Sequence, residues 1–179
     1  VLKTKKILVG VCGGIAAYKV VEIVSMLKKM NADVHVIMTE SAVEFVKPLT
    51  FQSITHNPVI YDMFSEPKKW NIEHVAYAEM ADLFLIAPAT ANIIGKVSAG
   101  IADDMLSTTI MATQKSVLFV PAMNVKMFTN LIVQDNIRKL KRYGYNFIEP
   151  EYGRLAYGDN GLGRFPESQK VISLITKLL

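Results

Sequence analysis

The sequence predicts an α/β protein, a doubly wound parallel sheet with helices on both faces in three αβα layers. Three observations predict it. The apolar runs ILVGV (7–11), VHVIM (34–38), LFLIA (83–87) and VLFV (117–120) are continuous rather than alternating, as strands buried on both faces are. Segments with apolar residues at helical spacing separate them, as in Ile15, Val20, Ile23, Val24 and Leu27. Strand and helix alternate along the chain, which calls for crossover connections and hence parallel strands.

In order, Ile7–Val11 reads as the first strand, Ile15–Met30 as a helix and Val34–Met38 as the second strand. Thr39 and Ser41 are cap residues for a helix through about Val46. Pro48 suits the first turn of a short helix. Pro58–Tyr61 reads as a weak strand, and 62–73, with the lone Trp70, as irregular. Leu83–Ala87 is a strong strand, followed by helices from Ala91 and over Asp103–Thr113, then the strand Val117–Val120. Phe128–Tyr143 reads as one amphipathic helix closed by Gly144, Asn146–Glu149 as the last strand, and Pro166 as the opening of a final helix to Leu179. The segment 150–165 is expected to be a long structureless loop. Four of the ten glycines fall in its run GRLAYGDNGLGR, which reads as a mobile lid with Arg164 placed to grip an anion.

A chain of 179 residues suits one domain, 1–179, with a real core. Half of it is apolar and a fifth charged, the profile of a soluble globular protein. The longest apolar runs are far short of the roughly 20 residues of a spanning helix, and the basic N-terminus leads into a buried strand rather than a signal peptide. No membrane partner is expected. Cys12 is the only cysteine, so no internal disulfide or cysteine-built metal site is expected, and a cytoplasmic setting fits. The net charge of +4 is spread over short pairs and one patch, Arg138 to Arg142, that reads as a solvated helix face. Nucleic acid is not expected, because the basic residues are not interleaved with aromatics. An anionic small ligand suits the charge.

Ligands of open parallel sheets bind beyond the carboxyl ends of the strands. Three loops fall there: Gly13-Gly14, PATAN (88–92) and PAMN (121–124). Gly10 to Gly14 does not spell the dinucleotide fingerprint GxGxxG, so the glycines point to phosphate at a helix N-terminus rather than to NAD. Histidine as a residue type suits proton transfer near neutral pH, which makes His74 a candidate acid–base, while His35 and His56 read as structural or exposed.

The segments VGVCGGIAAYK (9–19), HVAYAEMAD (74–82), APATANIIGK (87–96), GIADDMLST (100–108), PAMNVKM (121–127) and GRLAYGDNGLGR (153–164) occur in one order. Together they resemble the homo-oligomeric flavin-containing cysteine decarboxylases, of the phosphopantothenoylcysteine decarboxylase kind, over nearly the whole chain. The resemblance implies a Rossmann-like or flavodoxin-like fold, FMN as cofactor, and decarboxylation of 4′-phospho-N-pantothenoylcysteine in coenzyme A biosynthesis. It implies that Gly13, Gly14, Ile15 and Ala16 meet the FMN phosphate, with Thr39 and Ser41 adding hydroxyls. Thr90 and Asn92 would lie near the flavin, and Met105 with Ser107 would line its ring. His74 matches the family's active-site histidine. Asn124 matches the asparagine that holds the substrate carboxylate, with Met123 and Met127 shaping the pocket. Residues 153–164, with Gly163 and Arg164, match the clamp over the substrate. The resemblance also implies trimers, often four together as a dodecamer. In bacteria a phosphopantothenate–cysteine ligase half usually follows. Since the chain stops where that half would begin, an isolated domain or a monofunctional enzyme is expected.

Two positions depart from the family pattern. Phe128 stands where tryptophan is usual, an aromatic swap. Tyr157 stands where the clamp carries the cysteine acid that completes reduction of the enethiol. A phenol's reference pKa is about 10 against about 8.5 for a thiol. Tyr157 is then a substitute acid, or the reductive half is slow and oxidised product escapes, or the chain takes another thiol substrate. Lantibiotic-type peptidyl-cysteine decarboxylases, which stop at the enethiol, and a non-catalytic flavin-binding regulatory subunit are the alternatives. A flavin prenyltransferase shares the fold, but His74 and PAMN disfavour it.

Overall fold

The computed structural model describes residues 2–62, 73–154, 156, 158 and 160–179. Trp70 and Tyr157 lie outside the described residues. The main sheet has six strands in the order β3-β2-β1-β4-β5-β6, every pair parallel. They are β1 (Lys6–Val11), β2 (Asp33–Met38), β3 (Val59–Ile60), β4 (Leu83–Ala89), β5 (Ser116–Pro121) and β6 (Asn146–Phe147). The helices are α1 (Ala17–Lys29), α2 (Glu40–Val43), α3 (Pro48–Thr55), α4 (Glu73–Met80), α5 (Ala91–Ala99), α6 (Met105–Ala112), α7 (Val125–Phe128), α8 (Leu131–Arg142) and α9 (Ser168–Leu178). This strand order is the doubly wound, Rossmann-like arrangement.

Side chains alternate across a strand, so each central strand feeds two cores. Ile7, Val9 and Val11 of β1 join Val34, Leu83 and Leu118 under α1 and α9. Leu8 joins Phe84, Ile86 and Phe119 under α5, α6 and α8. The two cores explain why the strands read as unbroken apolar runs.

Three expectations need correction. The helix expected over Phe128–Tyr143 is two: Phe128 ends α7, and the Asn130 side chain accepts from Ile132 N at 2.9 Å to cap α8. An amphipathic period running through a break hides it. The final helix begins at Ser168, with Glu167 as its cap, two residues after Pro166. The third concerns 150–165, which is not structureless. It holds an antiparallel pair, β7 (Glu151–Arg154) and β8 (Asn160–Arg164), forming a second sheet. β6 is therefore the last strand of the main sheet but not of the chain.

The basic patch on α8 is a solvated face with internal partners. Arg138 pairs with Asp135, and Lys141 meets Glu149 at 2.6 Å. Among the described residues no helix is long and apolar enough to cross a membrane.

Candidate active site

Because the strands are parallel, the ends of β1, β2, β4 and β5 share one edge of the sheet. Gly13 follows β1 and is pressed against the start of α2: a Cβ there would lie 2.4 Å from Ser41 Cβ and 2.8 Å from the Ser41 carbonyl carbon. Only glycine fits that approach. A Cβ on Gly14 would stand 3.9 Å from Thr90 Cγ2. The β1–α1 turn is thus wedged between the first turns of α2 and α5.

The N–H groups of Gly13 to Ala16 have no backbone acceptor among the described residues, while Ala17 N donates to Gly14 O at 2.9 Å and Lys19 N to Ala16 O at 3.0 Å. Ala16 caps α1 without a side-chain bond, and the first turn of α1 carries no acidic residue. The first N–H groups of a helix have no internal acceptor, and its dipole favours an anion there. Ile15 is 60 % exposed beside them. Thr39 Oγ1 accepts from Ala42 N at 3.2 Å and Thr90 Oγ1 from Ile93 N at 3.4 Å. The Ser41 hydroxyl is exposed, with no partner among the described residues. Asn92, in the first turn of α5, is exposed.

Beneath this edge lies a packed polar layer. Burial pushes the Cys12 thiol up to about 12, against hydrogen bonding to Thr90. A protonated, buried thiol is a small hydrophobe and not a nucleophile at neutral pH. Lys96 Nζ sits 2.7 Å from Asp103 and 2.8 Å from Asp104. Burial works to raise the Asp104 carboxyl, but hydrogen bonds from Lys96 and Ser107 hold it below the usual range. Asp104 caps α6 by accepting from Ser107 N at 2.8 Å, and Ser107 Oγ accepts from Asp104 N at 3.1 Å, a capping box. Ser107 is fully buried and Met105 is 4 % exposed. What the structure shows for Ser107 is a grip on the start of α6. Lys96 escaped the sequence reading; its spacing of seven and eight residues from the aspartates was the only signal.

The third part is the loop after β5 with the hairpin laid on it. Met123 N donates to Gly163 O at 3.2 Å. Gly163 has φ +149, and a Cβ there would strike Met123 O at 2.3 Å. A Cβ on Gly161 would come within 3.0 Å of Val125 Cγ2. The glycine face of β8 is thus seated on residues 123–125. Asn124 Oδ1 accepts from Lys126 N at 2.8 Å and caps α7, which fixes the side chain and leaves its amide nitrogen without a partner among the described residues. Met123 packs on the second core, and Met127 is 49 % exposed. Arg164 lies across Gly153 and bonds Glu167 Oε1 at 3.1 Å, so a carboxylate of its own chain already engages it.

His74 stands half-buried in the first turn of α4. The strand–helix–strand crossover runs α4 antiparallel to the sheet, which brings its N-terminus to the same edge. The structure therefore gathers the Gly13 turn, Thr39, Ser41, Thr90, Asn92, Asn124, the hairpin and His74 at one end of the sheet. Among the described residues no cluster of His, Cys, Asp and Glu could hold a metal ion.

The chain is 47 % identical over 176 residues to the coenzyme A biosynthesis bifunctional protein CoaBC of Bacillus subtilis, covering 98 % of this chain and 43 % of that protein. It thus spans less than half the length of that relative. It is 42 % identical over 178 residues to the probable phosphopantothenoylcysteine decarboxylase of Streptococcus mutans, covering 98 % of this chain and 99 % of that one. The solved structure of the FMN-dependent cysteine decarboxylase SpaF superposes with a TM-score of 0.84 at 30 % identity, covering 97 % of this chain and 96 % of that chain. The family model described as Flavoprotein matches residues 1–179. The doubly wound sheet with its glycine turn after β1 and the family match along the whole chain agree: this chain belongs to the Flavoprotein family.

Proposed function

We propose that this chain is an FMN-dependent carboxy-lyase that converts 4′-phospho-N-pantothenoylcysteine to 4′-phosphopantetheine in coenzyme A biosynthesis. The observation that carries the reading is the seating of the hairpin on the Asn124 loop, at the same edge as the uncapped start of α1. That edge offers an anion cradle and a place for a carboxylate side by side. The family match and the full-length likeness to the Streptococcus mutans protein support the same reading.

The residues present fit the cofactor. The N–H groups of Gly13 to Ala16, without a backbone acceptor among the described residues, and the exposed Ser41 hydroxyl packed beside them suit a phosphate. Gly13 to Ala16, Thr39 and Ser41 would hold the FMN phosphate. Thr90 and Asn92 would lie near the flavin, and Met105, at the start of the helix that the Asp104–Ser107 capping box fixes, would line it with Ser107. Bound FMN supplies a two-electron acceptor that takes a hydride from the substrate and returns it.

The protein's part follows from the chemistry. An α-amino carboxylate holds its CO2 because the carbanion left behind has no sink. Oxidation of the cysteine CH2–SH to a thioaldehyde provides one. His74 takes the thiol proton in that step. The amide nitrogen of Asn124, held by its bond to Lys126 N, orients the carboxylate. As CO2 leaves, its bonding pair becomes the new C=C bond and the C=S pair moves to sulfur, giving the enethiolate, which takes up a proton to become the enethiol. Tyr157 donates the proton that accompanies return of the hydride, so the cycle is redox-neutral. The hairpin with Gly163, and Met123 and Met127, close over the substrate.

A homotrimer, or a dodecamer of four trimers, carries this site. A phosphopantothenate–cysteine ligase half works beside it, as the match within a bifunctional relative supports. The protein acts in the cytoplasm. A second reading rests on Tyr157: an enzyme that stops at the enethiol, as a peptidyl-cysteine decarboxylase, needs no acid there. Incubation of the yellow protein with phosphopantothenoylcysteine, followed by mass spectrometry, separates the two. Loss of CO2 alone marks a finished cycle, and loss of CO2 with two hydrogens marks one that stops early.

A further inference from the structure

His35 and Tyr77 meet where α4 lies on the sheet. Their ring centroids are 5.7 Å apart, with the planes tilted by 60°. We propose that His35 is a positioning residue: the Asp33–His35 pair holds Tyr77 and, through α4, sets the place of His74, the base of the thiol step. This rests on the decarboxylase reading above.

β2 supplies the support. Asp33, His35 and Ile37 follow one another at intervals of two and share one side of the strand. Ile37 belongs to the second core and Tyr77 packs against that core, so this is the side that α4 covers. His35 Nε2 lies 3.2 Å from Asp33 Oδ2. Asn57 Nδ2 donates to Asp33 Oδ1 at 3.0 Å and to Val34 O at 2.8 Å. Burial works to raise the Asp33 carboxyl, but hydrogen bonds from Asn57 and His35 hold it below the usual range. It is then ionised at neutral pH and only accepts, so His35 Nε2 is the donor. His35 Nδ1 is buried and has no partner among the described residues. A phenylalanine would offer a ring there without that orphan. What the imidazole adds is a bond that fixes the plane of the ring under Tyr77.

The helix carries that support to the site. His74 and Tyr77 are three residues apart on α4 and share a face. They are separated by about 4.5 Å along the axis, with His74 on the side of the edge that bears the Gly13 turn and the Asn124 loop. Thr113 Oγ1, at the end of α6, donates to Ala78 O at 3.1 Å. The turn below His74 is therefore held by the sheet at Tyr77 and by α6 at Ala78. A base works only within hydrogen-bond reach of its proton, and a misplacement of about 1 Å costs up to about a hundredfold in rate.

The test compares FMN-loaded wild type, His35→Ala, His35→Phe, Tyr77→Ala and the double variant of His35→Ala with Tyr77→Ala. On phosphopantothenoylcysteine His35→Ala lowers kcat about tenfold, with KM and FMN affinity unchanged. Tyr77→Ala does the same, and the double variant falls no further, as two residues that act through one contact require. His35→Phe, which keeps a ring against Tyr77, recovers part of the loss. An unchanged kcat, losses that multiply in the double variant, weakened FMN binding, or a His35→Phe no better than His35→Ala would overturn the assignment. Carbethoxylation of the histidines, followed residue by residue by mass spectrometry, decides it without turnover. The chain has three histidines, so His56 serves as the internal control. His35→Ala and Tyr77→Ala change the rate at His74 and leave that at His56 as in wild type. A wild-type rate at His74 in both variants, or an equal change at His56, contradicts the proposal. If wild type turns nothing over, the decarboxylase reading fails, and the modification rates still judge His35.

Discussion

The β1–α1 turn and the β7–β8 hairpin are both built on glycine, and glycine serves different ends in them. At Gly13 it lets the chain approach Ser41 closely, and the N–H groups of Gly13 to Ala16 have no backbone acceptor among the described residues. At Gly163 it lets a strand lie on the Met123 carbonyl, and the nearby donor is satisfied, Met123 N to Gly163 O. One segment leaves N–H groups without backbone acceptors among the described residues; the other uses its backbone to fasten itself to the Asn124 loop. Glycine content alone therefore does not mark a mobile lid: the base of this hairpin is docked.

His74 belongs to neither region and sets the upper end of the scale. His74→Asn keeps the flavin and abolishes turnover; measurable decarboxylation by that variant removes the histidine from the mechanism. Gly13→Ala attacks the first region. Its Cβ meets the side chain and backbone of Ser41, an overpacking of about 2–3 kcal/mol, so FMN binds about a hundredfold more weakly by fluorescence titration. Unchanged FMN affinity would erase the difference between the two regions.

Gly163→Ala attacks the second, through φ +149 and a clash with Met123 O. FMN affinity holds, and kcat/KM falls by roughly thirtyfold, as about 2 kcal/mol of strain gives. Loss of flavin in this variant would show that the regions are not separable. A smaller effect is expected of Tyr157→Cys, which raises the ratio of reduced to oxidised product several-fold in proportion to the more acidic thiol. A ratio that stays level or drops counts against the acid role of Tyr157.

Smallest is the effect at Cys12, under the first region. Its thiol rises from 9.0 to about 12 on burial. An acid raised by folding stabilises the protein fully below the unfolded value, and this stability is lost as pH climbs from about 9 towards 12. Alkylation at neutral pH should therefore wait on unfolding; labelling of the folded protein at the rate of the unfolded chain would contradict it.

The parallel sheet was legible because strands buried on both faces leave unbroken apolar runs, and Pro48 at the first turn of α3 announced that helix. The close approach of the β1–α1 turn to α2 was suggested locally, since glycine without a Cβ is what such backbone contact needs. The hairpin was not. Its strands carry glycines that have no strand propensity of their own, and its place comes from Met123 and Val125, far away in sequence. The break at Asn130 was visible only as a cap residue inside an otherwise continuous period. Arg164 looked like a free cation because its partner, Glu167, lies in the cap of the next helix. Lys96 was invisible as a member of the site until α5 and α6 packed side by side.

The most direct test of the central claim is anaerobic incubation of the purified, FMN-loaded protein with phosphopantothenoylcysteine, followed by product mass spectrometry. The account predicts yellow protein and a product lighter by CO2, with or without the further loss of two hydrogens. Colourless protein that takes up no FMN, or substrate recovered unchanged, would contradict it.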